Sequence, residues 1–191
     1  MNTKNVVKNK IDLMNHTNVS DEIEYLFFWR HQTKSEEISK ACLSQWYKAD
    51  FIIKGQVYLT AEHFMMASKA RLFGDLDKEK EILKMSDPYA VQQLGREIMG
   101  FDEKIWEKHR FNIVVKGNFE KFKQNPKLKK YLLSTENKVL VETSPYDKIW
   151  GVGLNENNPN IYNPYMWRGL NLLGFALMEV RTQLCENELC V

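Results

Sequence analysis

The chain has 191 residues, 43% hydrophobic and 27% charged, with a formal net charge of +2. That is too apolar for a disordered chain and long enough to bury one core without disulfide or metal staples. The near balance of 27 basic and 25 acidic residues excludes a strongly cationic nucleic-acid coat, and no apolar run reaches the roughly 18 residues of a membrane span.

Residues 1–20 are polar and rich in Lys and Asn, without an apolar period or the apolar core of a secretory signal. They are expected to form a flexible arm ahead of one domain over 21–184 and a short tail, 185–191. Cys42, Cys185 and Cys190 are odd in number and lack a CxxC pair, which fits neither a disulfide framework nor a zinc knuckle. A cytoplasmic protein is expected.

Glu24–Trp29 is aromatic and strand-like, and 30–41 is polar and loop-like. Leu43–Tyr47 and Phe51–Ile53 read as short strands, the second turning at Lys54-Gly55. The pattern then becomes helical. Thr60 is the predicted cap of a helix that stops at Gly74, and a second helix covers about 75–85. Asp87-Pro88 starts a third that ends at Gly100, and Asp102 caps a long helix to about Gln124. Pro126 opens a short one, Val139–Val141 is a strand, and Ser144–Gly153 is a loop. Leu170, Leu173, Leu177, Val180 and Leu184 form the stripe of a buried last helix. Strands and helices do not alternate as βαβ units. The expected class is mainly α (α+β): a single helical domain with a few short β-strands.

Two segments offer chemistry. On the helix from Thr60, Glu62, Met66, Lys69 and Phe73 share a face, with Glu62 and Lys69 about 10 Å apart along the axis. A substrate could lie between that carboxylate and amine; the alternative is an ordinary solvated face. The apolar neighbours of Glu62 favour a buried carboxylate, common at active sites. In the second segment, Asp147 and Trp150 stand three apart in a loop where Gly151 and Gly153 let backbone approach a ligand. A carboxylate beside an aromatic suits a sugar or a base; the alternative is a plain turn with Trp150 in the core. Trp106 and Trp46 are further aromatic candidates for stacking. GxGxxG, Walker, HExxH and GxSxG motifs are absent, which disfavours dinucleotide oxidoreductases, NTPases, zinc proteases and serine hydrolases. His63 and His109 lack metal-ligand spacing, so neither a metal nor a cofactor is expected.

At these segments the chain resembles the NADAR superfamily, which includes the YbiA-like N-glycosidases. The resemblance runs through Trp46-Tyr47, Gly55–Tyr58, Ala61-Glu62-His63 to Lys69-Ala70, Leu94-Gly95-Arg96, Trp106, Lys121-Phe122, Asn125-Pro126, Glu142–Gly153 and Gly169–Gly174, closing on Met178–Arg181. It departs at Leu43–Trp46, where many members have Ser-Asn-Phe, and at Phe28–Arg30. It implies a compact helical fold and N-glycosidic cleavage of a small, ribosylated, phosphorylated substrate. Phosphorylated ribosylaminopyrimidine intermediates of riboflavin synthesis come first. The alternatives are ADP-ribose on guanine in DNA, and a non-catalytic ADP-ribose or nucleotide module. Nucleic acid is a partner only in the DNA-directed case, for which Lys-rich 121–130 is a candidate rim.

The family's functional positions fall on Glu62, Trp106 and Asp147, with Lys69 a further candidate. Asp147 is expected to stabilise the oxocarbenium-like sugar or activate water, and Glu62 to bind a hydroxyl or move the proton. Trp106 and Trp150 would wall the base or ribose. Lys69 permits attack on the anomeric carbon and a Schiff base. Lys148, Arg96 and Arg168 are candidates for phosphate, Gly151 for close backbone approach, and Asn171 for substrate binding or helix capping.

Overall fold

The computed structural model describes residues 7–17, 23–32 and 37–189, and these are mainly helical with a few short strands. In chain order the elements are α1 (Lys10–Thr17), β1 (Tyr25–Phe28), β2 (Phe51–Ile53), β3 (Gln56–Tyr58), α2 (Ala61–Leu72), α3 (Leu76–Lys84), α4 (Pro88–Arg96), α5 (Glu103–Gln124), α6 (Pro126–Leu133), β4 (Val139–Glu142) and α7 (Leu172–Leu189). Residues group into two compact units, one of His31–Lys130 and one of Met1–Arg30 with Tyr131–Val191.

In the unit His31–Lys130, side-chain caps fix where the helices start. Thr60 accepts the N–H of His63, Asp75 that of Lys78, Asp87 those of Tyr89 and Ala90, and Asp102 that of Ile105. Each cap satisfies backbone donors that the helix leaves unpaired, a contribution of about 1 kcal/mol. Helix α2 is buried over Ala61–Ala67 and at Ala70, and it packs on α3, α4 and α5. A Cβ on Gly95 would overlap the Met66 side chain, so glycine there leaves the Met66 thioether its place between α4 and α2.

The third predicted helix stops at Arg96, short of Gly100, because Asp75 Oδ2 accepts the N–H of Met99 and holds that stretch in a loop. The predicted strand at Leu43–Tyr47 is a correction: Lys40–Leu43 is a 3-10 turn with further turns behind it. Its carbonyls go to a side chain instead of a neighbouring strand. Lys121 Nζ donates to Cys42 O at 2.7 Å and to Ser44 O at 2.9 Å. Lys121 is fully buried, so it is not part of a cationic rim.

In the other unit, β1 and β4 pair in parallel, from Tyr25↔Val139 to Phe28↔Glu142. Helix α7 packs on β4 and buries Leu173, Leu177, Val180 and Leu184. Leu170 does not join that stripe. It is 44% exposed and precedes Asn171, whose φ of +55° breaks the helical path. Within the expected arm, α1 forms because Asn9 Oδ1 accepts the N–H of Asp12 and Leu13 is fully buried. The rest of that stretch, residues 1–6 and 18–20, lies outside the described residues, as do the last two residues of the tail.

Candidate active site

Glu62 lies in the first turn of α2 and is 2% exposed. The positive end of the helix dipole offsets part of the cost of burying its charge. Its backbone N–H donates to Gln45 O at 3.0 Å. Gln45 is itself held, because Asn118 Nδ2 donates to its Oε1 at 2.7 Å and to Val114 O at 2.9 Å. Gln45, Asn118 and Lys121 were not singled out as site residues by sequence reasoning. Lys121 entered the sequence reading only as part of the Lys121-Phe122 match and of the 121–130 run; burial shows that all three shape the turn behind Glu62.

Lys69 is half-buried on the same face, nearly two turns later. Its Nζ donates to Gly95 O at 2.6 Å and stands 4.2 Å from the ring centre of Phe101 and 5.7 Å from that of Trp106. Burial pushes the Lys69 amine below its ordinary pKa. Glu103 and Glu62 pull it back up, and Arg96 presses it down. Trp106 is 7% exposed in the first turn of α5, placed by the Asp102 cap. The structure thus brings together Lys69 and Trp106, with Glu62 near enough to act on the amine electrostatically. Phe101 and the Gly95 carbonyl are additions: an exposed aromatic beside a cap, and a backbone atom that sequence patterns do not flag.

At the start of α2 a cavity of about 410 Å³ is lined by His31, Trp46, Tyr47, Thr60, Ser86 and Pro88, among others. Its size is in the range that binds small ligands. Trp46 meets His31 and Tyr89 there, at ring-centre distances of 5.7 and 6.3 Å.

The second group of expected residues belongs to the other unit. Ser144 Oγ accepts the N–H groups of Tyr146 and Asp147. Asp147 Oδ1 accepts those of Ile149 and Trp150, both at 2.8 Å. Two successive side-chain turns therefore shape the loop and fix the carboxylate's direction. Asp147 and Trp150 are half-buried and Lys148 is exposed. Gly151 is buried with its space filled by protein: a Cβ there would meet Asp147 O and Glu142 O at 3.0 Å. Packing by itself therefore favours glycine at this position. Asn171 is likewise a latch: it is fully buried, its Oδ1 accepts the N–H of Glu142, and its Nδ2 donates to Leu140 O. Both ends of the amide hold β4. Arg96 and Arg168 are exposed. Among the described residues no three His, Cys, Asp or Glu side chains cluster to hold a metal, and no helix is long and apolar enough to cross a membrane.

The family model described as NADAR domain matches residues 27–185. The chain belongs to the NADAR family. Within it, the chain is 42% identical over 165 residues to N-glycosidase R617 of Acanthamoeba polyphaga mimivirus, covering 84% of this chain and 96% of that one. It is 32% identical over 132 residues to N-glycosidase YbiA of Escherichia coli strain K12, covering 69% and 74%. The NMR structure of E. coli YbiA matches with a TM-score of 0.70 and 26% identity, over 87% of this chain and 88% of that one. The chain is also 29% identical over 145 residues to riboflavin biosynthesis protein VVA0006 of Vibrio vulnificus, but spans only 36% of its length.

Proposed function

We propose that this NADAR protein hydrolyses the N-glycosidic bond of a ribosylated base, with a phosphorylated ribosylaminopyrimidine as substrate and ribose 5-phosphate as product. The names of its relatives R617 and YbiA support the reaction, and that of the Vibrio protein supports the riboflavin-related substrate. The observation that carries the reading is the amine of Lys69, lowered in pKa by burial and placed over Phe101 and Trp106.

Neutral Lys69 attacks the anomeric carbon with its lone pair, and the bond from that carbon to the base breaks. Attack leaves the Lys69 nitrogen positively charged with two protons; the Glu62 carboxylate takes one and passes it to the departing nitrogen, which keeps the electron pair of the broken bond. The lone pair restored on the lysine nitrogen then expels the ring oxygen, which takes the remaining nitrogen proton, giving an imine between sugar and lysine. Water adds to the imine, the sugar departs, and the amine is restored. Trp106 and Phe101 wall the ribose, and the cavity beside Trp46 takes the planar base. The role proposed for Asp147, negative charge for an oxocarbenium-like sugar, rests on its match to the family's functional positions, and its carboxylate is oriented by the N–H groups of its own loop. Lys148 is a candidate for the substrate phosphate.

Water attack without a covalent stage is the second reading, favoured by the Lys69 bond to Gly95 O, which suits an ammonium. For the DNA-directed alternative, the burial of Lys121 removes one cation from the 121–130 run. Incubating the protein with a ribosylaminopyrimidine phosphate and, separately, with ADP-ribosylated DNA decides the substrate. Sugar release from the first alone is expected; release from the second alone transfers the assignment, and release from neither leaves a binding module. The chemistry calls on no metal, so turnover is expected to survive EDTA; a loss restored by zinc or magnesium contradicts this.

A further inference from the structure

The β2–β3 hairpin turns on Lys54 and Gly55, whose φ angles are +50° and +81°. Positive φ at both positions marks the tight two-residue turn in which Asn-Gly is the preferred pair. Lysine there bears the steric cost of the left-handed region and lacks a short polar side chain to offset it. A strained residue where asparagine would sit more easily points to a use for its charge.

Lys54 lines a groove of about 360 Å³ with Gln56, Ser68, Arg71 and Lys116, over the buried side chains of Tyr58 and Phe64. The three cations come from the hairpin turn, α2 and α5. Arg71 is fixed at one wall, since its Nη2 donates to the Tyr58 hydroxyl at 3.3 Å and pairs with Glu79. Among the described residues Lys54 and Lys116 make no ion pair, so their charge is not neutralised internally. Phe64 and Arg71 lie roughly 160° around α2 from Glu62 and Lys69 respectively, so the groove is separate from the face that carries the amine.

We propose that this groove is a second ligand site, which takes the phosphate group of a small phosphate ester. Lys54 and Lys116 supply charge, the Ser68 hydroxyl donates to a phosphoryl oxygen, and the Tyr58–Phe64 floor takes the organic part. Three cations around one concavity suit a single phosphate, whereas a polynucleotide strand needs charges in a row.

The test is a residue-resolved amide NMR titration with inorganic phosphate and, in a second arm, a single-stranded oligodeoxynucleotide. Saturable shifts at 53–56, 68 and 113–116 are expected with phosphate. Lys116→Gln weakens that binding about fivefold or more. Lys54→Asn weakens it similarly while raising Tm, because asparagine relieves the turn. Turnover of the glycoside is unchanged in both variants. No saturable shift at these residues, unaltered phosphate affinity in Lys54→Asn, or tighter binding of the oligonucleotide than of phosphate at this groove overturns the proposal.

Discussion

The Nζ of Lys69 lies 2.6 Å from the carbonyl oxygen of Gly95, a glycine whose missing side chain leaves room for Met66 of the same helix as Lys69. The carbonyl and the two aromatic faces favour the ammonium, and burial disfavours it. Burial outweighs the upward pull of Glu103 and Glu62, so the pKa falls.

A lowered lysine pKa makes the neutral amine available at lower pH than an exposed lysine allows. Adduct formation with substrate is therefore expected to rise with pH, with a midpoint below the ordinary 10.5. Glu103 raises this pKa, so Glu103→Gln moves the midpoint to lower pH; Arg96 lowers it, so Arg96→Gln moves it higher. Rapid-quench rates against pH check both directions. Lys69→Arg keeps the charge and removes the nucleophile, and turnover is expected to drop about a hundredfold or more.

Glu62→Gln preserves shape and removes the carboxylate that carries the proton. A fall in kcat of about 10²–10⁴-fold is expected, with the fold kept. Circular dichroism alongside steady-state rates checks it, and near-normal kcat would remove Glu62 from the proton transfer.

Asp147 separates two roles by substitution. Asparagine retains the side-chain oxygen that accepts the N–H groups of Ile149 and Trp150. Asp147→Asn is therefore expected to keep Tm while losing about a hundredfold in turnover through the lost charge. Asp147→Ala loses both the charge and the turn, and Tm falls by the equivalent of about 1 kcal/mol. Full activity in Asp147→Asn would leave the residue a structural role only.

Lys121 and Cys42 give stability a particular pH dependence. Burial lowers Lys121 from 10.5 to about 8 and raises Cys42 from 9.0 to about 11. Below pH 8 the fold bears the whole cost of the buried ammonium, about 3 kcal/mol. Between 8 and 10.5 the unfolded chain holds the Lys121 proton that the native one has lost, so stability rises with pH. Between 9 and 11 the native thiol keeps a proton that the unfolded one loses, so stability falls. The net gain is thus concentrated near pH 8–9. Denaturant midpoints against pH should lose the rise in Lys121→Met and the fall in Cys42→Ala.

Helix starts were legible wherever a short polar side chain stood before an apolar run, as at Thr60, Asp87 and Asp102. The shared face of Glu62 and Lys69 followed from helical spacing. The turn at 40–47 was not legible, because Leu43–Tyr47 has strand-like composition and Lys121, nearly 80 positions away, captures its carbonyls. Asn171 stood between substrate binding and helix capping because an amide can serve either; its burial and its bonds to Glu142 and Leu140 add a use the sequence did not show, holding β4. The division into two units was hidden for a similar reason: β1 pairs with a strand more than 100 residues later.

Borohydride trapping addresses the amine directly. The protein is incubated with the ribosylaminopyrimidine phosphate and sodium borohydride, then digested and mapped by mass spectrometry. Hydride reduction of the imine is expected to leave a ribose-phosphate adduct on the peptide carrying Lys69, absent in Lys69→Arg. Continued turnover with no adduct on that peptide would contradict the covalent route.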